Sequence, residues 1–122
     1  MKSIKLMTVV FGLVLLATSC NKLTEKNIIG TWNMTAASYN GISQDPPSFT
    51  WVVVFNEGNT GTSTLNGNTS TMVWVLDEKN QTITIPNTLG NSQLYTVVEK
   101  KGDVLKVKYE NNGTYEYTFE KQ

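Results

Sequence analysis

The feature that most limits the fold of this chain is a regular alternation of strand-forming runs and turn signals. From Ile28 onward, runs rich in β-branched and aromatic residues are separated by short segments rich in Gly, Asn and Asp. The first composition favours extended strands and the second favours turns. The pattern predicts strands at 28–39, 49–56, 60–66, 70–77, 81–87, 94–100, 104–110 and 114–121.

The spacing and connections of these runs predict their arrangement. Many short strands at intervals of roughly 8–12 residues are typical of a sandwich or a barrel. Most connections are short, and Asn66-Gly67 and Asn112-Gly113 are strong hairpin signals. Consecutive hairpins favour a meander, and a closed meander has no exposed edge. We therefore predict an all-β fold, an eight-stranded antiparallel up-and-down β-barrel.

Alternation within the strands predicts which side chains face the interior, because successive residues of a strand point to opposite faces. In the last strand, TYEYTFEK, three aromatic residues alternate with Glu, Thr and Glu. Three other strands give inward sets: Trp32 with Met34 and Ala36, Phe49 with Trp51, Val53 and Phe55, and Met72 with Trp74 and Leu76. Val52 and Val54 then form an outward apolar strip, which is a candidate partner surface.

The first 27 residues follow a different pattern. Two lysines in MKSIK precede the apolar run LMTVVFGLVLLA and the small residues TSC. This order is typical of a secretory signal peptide, and the apolar run is shorter than the roughly 20 residues of a transmembrane helix. We predict a signal peptide at 1–19 and, at 20–27, Cys20 with a short polar tether. An N-terminal membrane helix or a buried helix is the alternative.

Composition excludes several classes of function. The chain has no histidine, one cysteine and ten basic residues, all lysine, which balance ten acidic residues. Histidine-based triads and dyads are therefore impossible, and one cysteine supports neither an intramolecular disulfide nor a cysteine-based metal cluster. A net charge of zero offers no dominant basic patch for nucleic acid. We expect no catalytic residue, no metal, no cofactor and no nucleic-acid partner.

The sequence LATSC around Cys20 resembles the lipobox of bacterial lipoproteins. In that family the signal peptide is cleaved before the cysteine, which carries a thioether-linked diacylglycerol and an acylated amino group. The resemblance implies lipidation of Cys20 and anchoring to the outer membrane of a bacterial cell envelope. Several acyl chains make a stable anchor, whereas one gives only marginal binding. We expect the domain to face the periplasm, with surface exposure as the alternative.

The sequence IIGTWNM resembles the Gly-x-Trp opening of the lipocalin and calycin group, and more closely that of small lipocalin-like lipoproteins of Bacteroidetes. The stretches VFNEGNTGTST, VWVLDEKNQTITI and YTFEK are similar to later hairpins of that group. The resemblance covers roughly residues 28–121 and implies a lipocalin-like domain at 28–122. Its relatives often bind small hydrophobic ligands. Many lipocalins place an arginine over the first-strand tryptophan, and here Lys121 is the candidate for that place.

Large side chains of the predicted interior are the candidate ligand-binding residues. They are Trp32, Met34, Trp51, Phe55, Met72, Trp74, Tyr109, Tyr115 and Tyr117. An eight-stranded barrel is just wide enough for its own side chains, so these residues either fill it or line a pocket. The strand TGTSTLN has little apolar bulk, so that Thr62 and Thr64, or Ser63, would leave space and offer hydroxyl groups.

Two functions stay open at this point. One is a membrane-anchored protein that binds or carries a small hydrophobic ligand in its barrel. The other is a protein–protein interaction module, an inhibitor or an envelope assembly accessory, with a filled barrel. Neither is an enzyme, because the chain lacks the usual groups for acid–base catalysis.

Overall fold

The computed structural model describes residues 22–86 and 91–122, which form a single antiparallel sheet. The predicted signal peptide and Cys20 lie outside the described residues. The strands are β1 (Gly30–Tyr39), β2 (Ile42–Gln44), β3 (Trp51–Asn56), β4 (Thr60–Leu65), β5 (Asn68–Val73), β6 (Val75–Asp77), β7 (Thr82–Pro86), β8 (Ser92–Lys101), β9 (Val104–Glu110) and β10 (Thr114–Lys121). In this part of the chain no helix is long and apolar enough to cross a membrane.

The sheet is nearly closed into a barrel. Its strand order is β5-β4-β3-β1-β10-β9-β8-β7-β6, with β2 paired to β1 outside this path. The first and last long strands, β1 and β10, are therefore neighbours, and they pair from Trp32 opposite Lys121 to Tyr39 opposite Tyr115. The two ends of the sheet, β5 and β6, are separated along the chain only by Trp74. The all-β antiparallel class predicted from the sequence is thus confirmed.

The structure has ten strands in the described residues, where the sequence predicts eight. The predicted strand 70–77 is divided at Trp74, because β5 pairs with β4 while β6 pairs with β7. The additional strand β2 lies between the predicted strands 28–39 and 49–56. Met72, Trp74 and Leu76 are all buried, so the predicted inward set is confirmed on both sides of the division.

Hydrogen bonds fix Trp74 at this division. Its backbone N–H donates to the Asn59 carbonyl at 3.0 Å, and the Asn59 side-chain amide donates to the Trp74 carbonyl at 3.0 Å. The indole Nε1–H donates to the Thr60 carbonyl at 2.9 Å. The indole ring packs edge-on against Phe55, with the ring centroids 5.2 Å apart. The corner therefore has no free backbone donor or acceptor at Trp74 itself.

A β-bulge in β1 changes the predicted alternation. Met34 pairs with Phe119 but Ala36 pairs with Thr118, so one residue, Thr35, is additional on the β1 side. Ala37 is consequently buried and Ala36 exposed. The inward orientation predicted for Ala36 is therefore wrong, whereas Trp32, before the bulge, is buried.

One end of the barrel, here called the closed end, carries residues 22–29 and the turns 57–59, 78–81 and 102–103. The Thr24 backbone N–H donates to Asn27 Oδ1 at 2.8 Å, and the Asn27 N–H donates to Thr24 Oγ1 at 3.1 Å. The Ile28 N–H donates to the Thr24 carbonyl at 3.0 Å. This reciprocal capping stabilises one helical turn. The turn places Leu23 and Ile28, both fully buried, under the barrel.

Gln81 fastens this segment to the barrel. The Leu23 N–H donates to Gln81 Oε1, and Gln81 Nε2 donates to the Leu23 carbonyl, both at 2.9 Å. The Glu25 N–H donates to a Glu78 carboxylate oxygen at 2.9 Å. The range 20–27, predicted as a tether, therefore contains part of the folded domain from Leu23 on. A single leucine in a polar stretch carries this packing, so the average composition of the stretch does not reveal it.

Lys121 lies over Trp32 at the closed end, the place for which it is the candidate from the sequence. Its Nζ is 5.5 Å from the Trp32 ring centroid and donates to the Asn27 carbonyl at 3.0 Å. Trp32 Nε1–H donates to the Ile28 carbonyl at 2.8 Å. Gly30 makes room for this arrangement, because a Cβ there would meet Lys121 Cε at 2.6 Å. Its φ of 140° also lies in the region that favours glycine.

We predict that the substitution Leu23→Ala lowers the free energy of unfolding by about 2–4 kcal/mol, because it removes a fully buried side chain and leaves a cavity. Urea unfolding followed by tryptophan fluorescence measures the change. Lys22→Ala, at the exposed neighbouring position, is the control and should cost less than about 0.5 kcal/mol. Equal effects of the two substitutions would mean that residues 22–28 are only a tether.

Candidate ligand-binding cavity

The opposite end of the barrel, here called the open end, carries the turns 66–67 and 111–113 and the loop 45–50. A cavity of about 540 Å³ opens there. It lies between β5 and β7, which are not hydrogen-bonded to each other. β5 pairs with β4, whereas β7 pairs with β6 and β8. The described lining residues are Phe49, Trp51, Ser63, Leu65, Asn66, Asn68, Ser70, Thr71, Met72, Gln93, Tyr95 and Tyr117.

Four aromatic rings form one wall of the cavity. Trp51 stands perpendicular to Tyr117, with ring centroids 5.4 Å apart, and lies 5.9 Å from Tyr95. Phe49 meets Tyr117 edge-on at 6.1 Å. Tilted and edge-to-face pairs at these distances are the favourable arrangements for aromatic side chains. The rings therefore hold one another in place and give the cavity a rigid apolar surface.

Small polar side chains form the facing wall, on β4 and β5. Ser63 and Ser70 are paired in register, and Asn68, two residues before Ser70, is in the same phase. The Ser63 hydroxyl accepts a hydrogen bond from Trp51 Nε1–H at 2.9 Å. The hydroxyls of Thr64 and Thr69 pair with each other at 2.8 Å on the outer surface. Of the two predicted alternatives, Ser63 faces the interior.

The tyrosines of the chain gather at the open end. Tyr39 is opposite Tyr115, and Tyr115 is opposite Tyr109, with ring centroids 4.7 and 6.1 Å apart. Tyr109 in turn lies 5.5 Å from Tyr95. The row continues to Tyr117, which lies 6.5 Å from both Tyr115 and Tyr95. All five tyrosines are thus in one cluster, and two of them, Tyr95 and Tyr117, belong to the aromatic wall.

The two tyrosines of the wall are neutral phenols over a wide pH range. Burial, followed by the neighbouring phenols Tyr117 and Tyr109, raises the pKa of Tyr95 above its ordinary value of 10.0. Burial likewise raises the pKa of Tyr117. The Tyr95 hydroxyl donates to Gln93 Oε1 at 2.7 Å. Apart from these phenols, no ionisable side chain is among the described lining residues.

Toward the closed end the interior is packed rather than hollow. A void of about 20 Å³, room for roughly one water molecule, remains among apolar side chains that include Trp32, Phe55 and Ile83. Trp51 borders both this void and the open cavity. The barrel is therefore filled at one end and open at the other. The predicted filled interior describes the closed end, and the predicted pocket describes the open end.

The structure distributes the nine candidate binding residues over three environments. Trp51, Met72 and Tyr117 line the cavity. Trp32, Phe55 and Trp74 are buried in the core. The remaining three, Met34, Tyr109 and Tyr115, are half-buried and are not in the lining. Cys20, the predicted lipidation site, lies outside the described residues.

Ser70, Asn68 and Tyr95 are not among the candidate residues, whereas Ser63 is one of the two predicted alternatives. Ser70 and Asn68 are in phase with the inward-facing Met72, and Tyr95 is in phase with Val97, so alternation alone could have identified them. Their polarity argued against an inward position, because polar side chains usually face solvent. The described residues contain no group of three or more Cys, Asp or Glu that would hold a metal ion.

Comparison with known proteins finds no match: no family model fits the chain, and no curated protein or solved structure is significantly similar to it.

We predict that the free energy of unfolding falls as the pH rises above about 10. In the variant Tyr95→Phe it should fall less. The folded-state pKa of Tyr95 is raised, so the unfolded chain loses this proton first and the stabilisation, complete below pH 10, is lost as the pH rises. The loss of one such proton from the unfolded chain lowers the free energy of unfolding by up to about 1.4 kcal/mol per pH unit. Urea unfolding at pH 8 and pH 10.5 measures it. An equally steep decline in both proteins would contradict the burial of the phenol.

Proposed function

We propose that the protein is a lipid-anchored, lipocalin-like lipoprotein of the bacterial cell envelope that binds or carries a small hydrophobic ligand. The observation that carries this proposal is the cavity of about 540 Å³ at the open end. Small-molecule sites typically occupy about 300–1,000 Å³ and are mostly apolar, with a few well-placed polar groups. The aromatic wall and the facing serines have this composition. The proposed role is binding rather than catalysis.

The contrast between the two ends supports a ligand site over a filled barrel. Fully buried Trp32, Leu23 and Ile28 pack the closed end. At the open end, Trp51 and Tyr117 are only half-buried, although they are large aromatic residues in contact with the core. A bound apolar molecule would remove their remaining surface from water, at about 25 cal/mol for each Å².

An exposed apolar row is the observation that favours the second candidate, a protein–protein interaction module. Val73, Val75 and Leu94 are 64, 55 and 54% exposed. Val75 pairs with Thr84, which pairs with Leu94, so the row crosses the outer face of three strands. Val52 and Val54, the predicted outward strip, are instead half-buried. A partner surface would therefore lie across β6, β7 and β8, with Val73 at the adjoining end of β5.

The proposed anchor gives the barrel an orientation. Cys20 precedes the buried Leu23 by three residues, which span at most about 10 Å. Leu23 lies at the closed end, so acyl chains on Cys20 would hold that end against the membrane. The open end would then face away from the membrane, toward the periplasm. Ligand would enter from the aqueous side rather than directly from the bilayer.

We predict that Ser70→Phe, which fills the cavity, weakens binding of the neutral fluorescent probe N-phenyl-1-naphthylamine at least about tenfold, or 1.4 kcal/mol. Probe fluorescence against protein concentration gives the affinity. Val73→Phe adds the same ring to the outer face of the same strand and should leave the affinity unchanged. Both variants carry the same acyl chains, so probe that dissolves in those chains contributes equally to both measurements. No saturable binding, or no effect of Ser70→Phe, would exclude a carrier and favour the interaction module.

We predict that Cys20→Ala abolishes incorporation of labelled palmitate and releases the protein from membranes, because the acylated side chain is removed. Metabolic labelling followed by membrane fractionation checks both. Ser19→Ala keeps a small residue before the cysteine and should still be labelled. If Cys20→Ala stays membrane-bound through an uncleaved N-terminus, residues 16–20 are not a lipobox.

A further inference from the structure

The lysines of the described residues all lie away from the cavity. Six are at the closed end: Lys22, Lys26, Lys79, Lys100, Lys101 and Lys121. The other two, Lys106 and Lys108, are on the outer face of β9. Lys108 is opposite Glu116, outside the barrel. Residues 87–90, which read NTLG, contain no ionisable side chain. The charged residues nearest to the open end are acidic: Asp45 lies on its loop and Glu110 ends β9, and neither lines the cavity.

This distribution determines which ligand charge the cavity accepts. A carboxylate or sulfonate that enters loses hydration and needs a cation or several donors in exchange. The two phenols of the wall stay protonated, and the Tyr95 hydroxyl already donates to Gln93. The indole N–H of Trp51 is also engaged, with Ser63. An anion in the cavity would therefore have only neutral donors, such as the serine hydroxyls, and no cation among the described lining residues to replace its hydration.

The polar wall suits an uncharged polar group. Each of Ser63, Ser70 and Asn68 both donates and accepts hydrogen bonds, as a neutral hydroxyl or carbonyl group requires. The facing rings of Trp51 and Tyr117 offer flat and edge surfaces to a ring system. A flat molecule between the walls would place its ring against the aromatics and its polar group against the serines.

We infer that the cavity selects an uncharged, ring-containing amphiphile, one that carries a hydroxyl or carbonyl group, over an anionic lipid such as a fatty acid. This inference rests on the proposed ligand-binding function and adds the class of ligand. It follows from the absence of a lysine among the described lining residues and from the paired serines, and it excludes the carboxylate-anchored mode of ligand binding.

Two probes that share one ring system test the inference. N-phenyl-1-naphthylamine is neutral, and 1-anilinonaphthalene-8-sulfonate is the same molecule with a sulfonate. We expect the full-length protein to bind the neutral probe at least about tenfold more tightly, which corresponds to 1.4 kcal/mol. Ser70→Lys places a cation on the polar wall and should tighten sulfonate binding about tenfold. Val73→Lys adds the same charge to the outer face and should leave the ratio unchanged.

Each outcome separates the inference from the proposed function. If the wild-type protein binds the sulfonate as tightly as the neutral probe, the inference is overturned while the ligand site stands. If neither probe binds saturably, the proposed function itself fails. If Ser70→Lys and Val73→Lys change the ratio equally, the probes sit outside the cavity, which overturns the inference. Retinol and retinoate form a second neutral and anionic pair with a constant ring, and the same order of affinity is expected.

Discussion

The hydrogen bonds between Trp74 and the turn at Asn59 and Thr60 are the interaction on which the rest of the barrel depends. They hold the chain where it passes from one end of the sheet to the other. On the closed-end side of Trp74 the strand pairs with β7, so the sheet is continuous. On the other side it pairs with β4 alone, so the sheet is open next to β7. The same corner therefore closes the core and creates the cavity.

Local sequence predicts the fold well where each strand keeps its alternation. β3 and β10 show the expected inward sets, and the inward set of the predicted strand 70–77 persists through the division at Trp74. The prediction fails where one residue changes the geometry. Thr35 reverses the parity of β1, and Leu23 converts a polar segment into part of the core. Both depend on contacts with distant partners, Phe119 and Gln81, which no local pattern contains.

The site was less predictable than the fold because it depends on which side chains face one another across the barrel. Large apolar residues were selected as candidates, and two thirds of that set serve the core or lie outside the lining. The inward position of Ser63 is established by its hydrogen bond with Trp51, and Ser70 is opposite Ser63 on the neighbouring strand. A hydroxyl on a strand has two equally regular positions, inside or outside, and closure of the sheet decides between them.

Trp51 links the cavity to the stability of the whole domain. Its side chain borders both the packed void and the open cavity. The centroids of the Trp51 and Phe119 rings are 5.2 Å apart. A ligand seated against this ring would bind the folded state alone, since the unfolded chain has no cavity. Such binding raises the free energy of unfolding by RT ln(1 + [L]/Kd), or about 2.7 kcal/mol at a hundred times Kd. Because Trp51 packs against the same core as Trp32, this gain would stabilise the whole domain and not the open end alone.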